Sequence, residues 1–136
     1  MIPFVWRVRV YWEDTDAGGV VYHSQYLNFF ERARTEWLRD KGVHQAKIAA
    51  EENVLFAIRH MDINFDQAAR LDDELLVEAM IDNVGRASLT FRQRILRHPG
   101  DLISKAAVKI VCLDGNTFRP TAIPGNILEK IQDAQH

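Results

Sequence analysis

The chain has 136 residues, and at about 100–200 residues per domain that length fits one unit, residues 1–136, rather than two. With 47% hydrophobic and 26% charged residues it can bury about two thirds of its unfolded surface, which excludes disorder. The 17 Lys and Arg against 19 Asp and Glu leave a formal net charge of -2, so no chain-wide basic field points to a nucleic acid.

Trp6, Val8, Val10 and Trp12 alternate with Arg7, Arg9 and Tyr11, the period of a strand with one buried face. Glu13 to Tyr22 breaks that pattern with Asp14, Asp16, Gly18 and Gly19 and reads as a loop. Between about Ser24 and Lys41 no Gly or Pro occurs, and Leu27, Phe30, Ala33, Trp37 and Leu38 make a stripe at helical spacing. Ser24 is the expected N-cap and Gly42 the expected stop. Gln45 to Glu52 predicts a short second helix.

The period then returns to two. Leu55, Ala57, Met61, Ile63 and Phe65 are expected on one face, interrupted at Arg59. Leu75, Val77, Ala79 and Ile81 form the next strand, then Leu89, Phe91 and Ile95, then Ala106, Val108, Ile110 and Cys112 after the His98-Pro99-Gly100-Asp101 turn. The links are too short for parallel crossovers, so the strands pair antiparallel. A last helix is expected from Pro124, suited to a first helical turn, to Ala134. The class is therefore α+β: one long helix, about 27 Å if 18 residues long, wrapped by a sheet of about five strands.

Cys112, the single cysteine, excludes an internal disulfide and a thiolate cluster, and fits a reducing compartment. The N-terminal residues lack the pattern of a signal peptide, and no apolar run approaches the length of a membrane span. The expected location is cytoplasmic.

The densest polar cluster is Glu13-Asp14-Thr15-Asp16-Ala17-Gly18-Gly19-Val20-Val21-Tyr22-His23. It precedes a helix start, where unpaired N–H groups and the positive dipole end favour anions and developing oxyanions. A carboxylate there can act as base or nucleophile while the helix start polarises a carbonyl. The same residue types also make ordinary turns and caps. Asp14-Thr15-Asp16 lacks the further oxygen ligands of a cation site, and Gly18-Gly19 lacks the spacing of a phosphate loop, so no metal is expected. Cys112 reads as a packed thiol.

Charge is patterned locally. Arg86, Arg92, Arg94, Arg97, Lys105 and Lys109 are opposed only by Asp101 between Gly85 and Leu113, whereas Asp66 to Asp82 has six acids and only Arg70. Most of this basic hairpin reads as a solvated face. Arg86, in a turn, is the candidate for holding a phosphate-bearing ligand.

The stretch from Tyr11 through Asp14-Thr15-Asp16-Ala17-Gly18-Gly19-Val20-Val21-Tyr22-His23 to Tyr26, continued by Phe29-Phe30-Glu31-Arg32-Ala33-Arg34-Thr35-Glu36, resembles hotdog-fold acyl-CoA thioesterases. It is most similar to the Tol–Pal-associated (YbgC-type) branch of the 4-hydroxybenzoyl-CoA thioesterase family, and the likeness extends through Arg119-Pro120. The resemblance implies a hotdog fold, a homodimer or homotetramer built through the sheets, and hydrolysis of acyl-CoA without any cofactor beyond the coenzyme A of the substrate. It implies that Asp16 is nucleophile or general base and that His23 lies beside the reacting carbonyl. Tyr26 and Glu31 match positions that shape the pocket, and Arg86 and Ser88 lie in the turn expected to meet the coenzyme A phosphates. The aryl-specific relative has an aromatic residue at the position of His23 and a proline at that of Ala17, which tilts the expectation toward short aliphatic acyl groups.

Two rivals stand beside hydrolysis: a hotdog hydroxyacyl-thioester dehydratase using His23 and Glu31, and a non-catalytic scaffold binding an acyl chain or acyl carrier protein beside phospholipid-synthesis enzymes, peripheral at the inner membrane. The basic hairpin is compatible with an acidic carrier.

Overall fold

The structure, a computed structural model, describes residues 2–133. Its elements in chain order are β1 (Phe4–Arg9), α1 (His23–Asp40), α2 (Gln45–Glu52), β2 (Val54–Phe65), β3 (Glu74–Val84), β4 (Ser88–Arg97), β5 (Asp101–Asp114) and α3 (Gly125–Asp133). The strands form one antiparallel sheet in the order β1-β3-β4-β5-β2. The expected α+β hotdog architecture is what the chain adopts: a long helix laid on a wrapped sheet.

The inward face of the sheet follows the alternation. Leu75, Val77 and Ala79 of β3, Leu89, Phe91 and Ile95 of β4, and Val108 and Cys112 of β5 are fully buried. Against them α1 lays Phe29, Phe30, Ala33, Trp37 and Leu38, each large side chain worth about 1.5–3 kcal/mol on burial. Trp37 meets Phe91 edge-on at 5.3 Å. Gly42, at φ +83°, turns the chain out of α1 in a conformation that side-chain-bearing residues disfavour.

Four expectations are corrected. Trp12 is 80% exposed, because the chain leaves the sheet after Val10 and enters a 3-10 turn at Trp12–Asp14. Ser24 does not cap α1: the cap position is Tyr22, without a side-chain cap bond, since Tyr22 N–H is already held by the Asp14 carbonyl at 3.0 Å. Leu27 lies at the open edge of the stripe and is 38% exposed.

The fourth concerns β2. Ile58 pairs with Ile110 and His60 with Lys109, leaving Arg59 as an extra residue. Such a bulge reverses which side chains point inward. Leu55 and Ala57 therefore face away from the side shared by Met61, Ile63 and Phe65. Before the bulge the inward residues are Val54, Phe56 and Ile58.

The last helix starts at Gly125, with Pro124 just ahead of it accepting from the N–H groups of Ile127 and Leu128; its expected end at Ala134 lies outside the described residues. No helix among the described residues is long and apolar enough to cross a membrane.

Candidate active site

Asp14 and Asp16 differ in burial and in hydrogen bonding. Asp14 is 5% exposed. Its Oδ2 accepts from the Tyr11 N–H and its Oδ1 from the Gln25 side chain, both at 2.8 Å. The carboxylate thus ties the end of the first strand segment to the first turn of α1. Asp16 is exposed. Its Oδ1 accepts from Gly18 N–H at 2.8 Å, and among the described residues nothing donates to Oδ2, which stays open to a water or an electrophile.

The loop bearing Asp16 is pinned from both sides. Asp16 N–H donates to Val20 at 2.9 Å, and Val21 N–H to Ala69 at 2.8 Å. Isolated bridges join Thr15 to Val21 and Val20 to Arg70. Gly19, at φ +79°, closes the hairpin in the left-handed region where glycine carries no steric penalty. A cleft of about 390 Å³ opens here, with Asp16, Ala17, Trp12 and Leu71 on its walls.

His23 is the first residue of α1 and is exposed. Its ring lies 4.4 Å from that of Tyr22 and meets Phe65 edge-on at 6.4 Å. The first N–H groups of any helix have no partner within it, so those of His23 and Ser24 make this end a donor pair beside the Asp16 loop. A carboxylate with a free oxygen and a helix start able to hold an oxyanion are the two parts that acyl transfer needs.

Tyr26 sits deeper. It is 3% exposed, and its hydroxyl accepts from Ala69 N–H at 3.0 Å. Burial pushes its pKa up, with smaller influences from Ala69, Arg97, Asp73 and the Asp16 charge. Glu31 is exposed two turns further along α1, bordering a separate cleft. Eight residues of helix rise put it about 12 Å from His23.

Arg86 and Ser88 are not brought to Asp16 within one protomer. They follow the Val84 end of β3, whereas the Asp16 loop packs by residues 69–73, next to its Glu74 end. The intervening 11-residue strand spans on the order of 30 Å. Arg86 is exposed, and its carbonyl accepts from Ile123 N–H at 2.9 Å. The basic hairpin is largely neutralised across strands: Arg94 holds Glu78 at 2.7 Å, Arg92 reaches Asp82 at 3.5 Å and Arg97 reaches Asp73 at 3.4 Å.

Sequence reasoning missed the buried pair Arg34 and Gln93, joined at 3.0 Å. The signal was present: Arg34 stands on the apolar stripe of α1, four residues after Phe30, and Gln93 stands between inward-facing Phe91 and Ile95. The structural role of Asp14 left no comparable mark, because its contacts come from residues 11 and 25.

Residues 10–131 match the thioesterase-like superfamily. The chain belongs to it. It is 45% identical to the acyl-CoA thioesterase YbgC of Haemophilus influenzae, over 91% of this chain and 90% of the relative. It is 44% identical to the acyl-CoA thioester hydrolase YbgC of Escherichia coli O6:H1, over 95% and 96%. Among solved structures, a probable thioesterase from Bartonella henselae superposes with a TM-score of 0.85 at 36% identity, covering 90% of this chain and 100% of that one. The resemblance carried by the Asp16 and α1 motif is thereby borne out at the level of family and fold.

Proposed function

We propose that this protein hydrolyses short aliphatic acyl-CoA thioesters to the free acid and coenzyme A, with Asp16 supplying the attack and the N-terminus of α1 polarising the thioester carbonyl. The enzyme class, a thioester hydrolase, is that of the relatives at 44–45% identity. The observation that carries the mechanism is the contrast between the two aspartates. Both oxygens of Asp14 are committed to Tyr11 and Gln25, whereas Asp16 spends one oxygen on Gly18 and keeps the other open.

In this reading Oδ2 of Asp16 either attacks the carbonyl carbon and the C–S bond breaks to release coenzyme A thiolate, giving an anhydride that water cleaves to the acid and the free carboxylate, or takes the proton of an attacking water and the tetrahedral intermediate then expels the thiolate, which leaves with a proton as free coenzyme A. In both routes the negative charge on the carbonyl oxygen develops against the N–H groups at His23 and Ser24. Electrostatic stabilisation of that kind costs no reorganisation at the moment of reaction. His23 flanks the same helix end and orients the carbonyl or the water. The dehydratase reading asks His23 and Glu31 to take the proton from one carbon and protonate the departing hydroxyl on the next, which a separation of about 12 Å along α1 does not favour within one protomer.

The coenzyme A contact at Arg86 and Ser88 fits a second copy rather than the same protomer. β2 is an edge strand of 12 residues with Ile58 and Phe65 about half exposed, and such an edge invites pairing. Antiparallel pairing of two β2 strands sets the Phe65 end of one copy beside the Val54 end of the other, close to that copy's Ser88. We therefore read the working unit as at least a homodimer. Arg86, Lys105 and Lys109, which form no ion pair among the described residues, are the charges that would meet an acidic acyl carrier delivering the substrate.

The test is thiol release from a panel of short, long and aromatic acyl-CoAs, comparing native protein with Asp16→Asn. Loss of about 100-fold or more with the fold intact supports attack through Asp16, since general acid–base action is worth about 10²–10⁴. Equal rates for the two proteins, or no thiol from any acyl-CoA, overturn it.

A further inference from the structure

The inward row of β4 ends on a cation. Phe91, Gln93 and Ile95 point into the core and are buried. Arg97 continues the same alternation, opposite the fully buried Leu75 of β3. An apolar side chain is the ordinary occupant of such a position. Arg97 instead reaches to residues 68 and 73, the two ends of the segment ahead of β3. Its Nη2 donates to the Ala68 carbonyl at 3.2 Å, and its Nη1 lies 3.4 Å from Oδ2 of Asp73. Its Nε is buried without an acceptor among the described residues, a cost to the fold that an apolar side chain would not carry.

Residues 68–73 form a strap, and its middle is a tight turn. Asp73 N–H donates to the Arg70 carbonyl at 3.1 Å, and Asp73 Oδ2 accepts from the Arg70 N–H at 2.8 Å. Asp72 sits in the left-handed region at φ +71°, which aspartate tolerates better than most residues. Arg97 grips both ends of this turn. The strap in turn carries the Asp16 loop, because Val21 N–H donates to the Ala69 carbonyl at 2.8 Å and Val20 bridges to Arg70. The Val20 carbonyl then accepts the Asp16 N–H at 2.9 Å. A chain of contacts thus runs from Arg97 through the strap to the backbone of Asp16. It does not pass through the Asp16 cleft, which Arg97 does not line. The Tyr26 hydroxyl, bonded to the Ala69 N–H, feels the charges of Arg97 and Asp73 in opposite senses, so the strap is gripped from the helix side as well.

We infer that Arg97 is a positioning residue for thioester hydrolysis: it staples the strap 68–73, and the loop which that strap carries then holds the Asp16 carboxylate at the reacting carbon. The inference rests on the Asp16 reading above. As an ion pair alone, Arg97 with Asp73 is worth little at the surface. Its value lies in geometry, since misplacing a reacting group by about 1 Å can cost about 10²-fold in rate.

The experiment compares native protein with Arg97→Met and Arg97→Lys, using the best acyl-CoA of the panel above. Methionine keeps the reach into the core and removes the orphaned donor, so Arg97→Met is expected to fold. Its kcat is expected to fall about tenfold or more with KM unchanged within about twofold, and Arg97→Lys restores part of the loss. In an Asp16→Asn background, Arg97→Met is expected to lower the residual rate no further, because it acts through that carboxylate. Amide hydrogen exchange at Val21 is expected to quicken about tenfold in Arg97→Met while the amides of the sheet hold. Asp73→Asn keeps an acceptor for the Arg70 N–H but discharges the partner of Arg97, and serves if Arg97→Met does not fold; its kcat falls in the same sense by less. Native kcat in Arg97→Met, a rise in KM that accounts for the loss, or an equal further loss in the Asp16→Asn background overturns the inference. So does unaltered exchange at Val21, whatever the thiol assay gives. If Asp16→Asn releases thiol at the native rate while Arg97→Met quickens exchange at Val21, the reading of Asp16 fails and the hold of Arg97 on its loop stands.

Discussion

The hydroxyl of Tyr26 accepts the backbone N–H of Ala69 at 3.0 Å, and the Ala69 carbonyl in turn accepts the N–H of Val21 at 2.8 Å. Through this single residue the first turn of α1, the segment before β3 and the Asp16 loop are held in one register. Tyr26 thereby links the helix start to the carboxylate without lining the Asp16 cleft.

Tyr26→Phe keeps the ring against Phe29 and Phe65, 6.4 and 5.7 Å away, and removes only the acceptor. Leaving the Ala69 N–H buried and unpaired is expected to cost about 1–3 kcal/mol. A thermal melt measures that loss, and kcat is expected to fall with it because the Asp16 loop loses an anchor. An unchanged melting temperature would show that the bond contributes nothing.

Asp14→Asn is expected to behave unlike Asp16→Asn. An amide can still accept through its oxygen but presents N–H₂ where the second acceptor stood, facing either the Tyr11 N–H or the Gln25 amide. The expected result is destabilisation of about 1–3 kcal/mol, followed by denaturant titration. Asp16→Asn removes thiol release without comparable unfolding.

The pH dependence of stability has an alkaline and an acid component. Burial raises the pKa of Cys112 above 9.0, so the unfolded chain releases its proton first, and stability present below that pH declines as pH rises past it. Cys112→Ala removes this alkaline decline, and native Cys112 resists alkylation near pH 8 until the protein unfolds. On the acid side, the Asp114 carboxylate is held below 3.8 by the N–H groups of Thr117 and Asn116. Its contribution is present above pH 3.8 and is lost as pH falls through the lowered value, so Asp114→Asn flattens the acid limb. Urea midpoints across pH measure both.

Proline at Ile63 or His60 removes a backbone donor from β2 and tests pairing between copies. The native chain is expected to sediment at no less than twice its monomer mass, and a variant that blocks the free edge is expected to shift toward monomer and lose acyl-CoA hydrolysis together with it. Because one of each two adjacent N–H groups already serves β5, substituting both positions separately identifies which N–H points outward. A native chain that is purely monomeric removes the shared site.

Much of this protein was legible in the sequence because it depends on local periodicity. The period of two in Leu75 to Ile81 and in Ala106 to Cys112, and the spacing of Phe30, Ala33, Trp37 and Leu38, report which side meets the core wherever an element runs unbroken. The Asp16 loop was legible for a similar reason, since acids and glycines ahead of a helix start form a contiguous motif. Only the tertiary structure decided the rest. The bulge at Arg59 reverses the faces of β2 through its pairing with β5, a relation between residues some fifty positions apart. The contrast in burial between Asp14 and Asp16 depends on which one the chain folds over, and the buried pair Arg34 and Gln93 exists only where α1 crosses β4. Periodicity is a property of neighbours in the chain; burial and hydrogen bonding between elements are properties of neighbours in space.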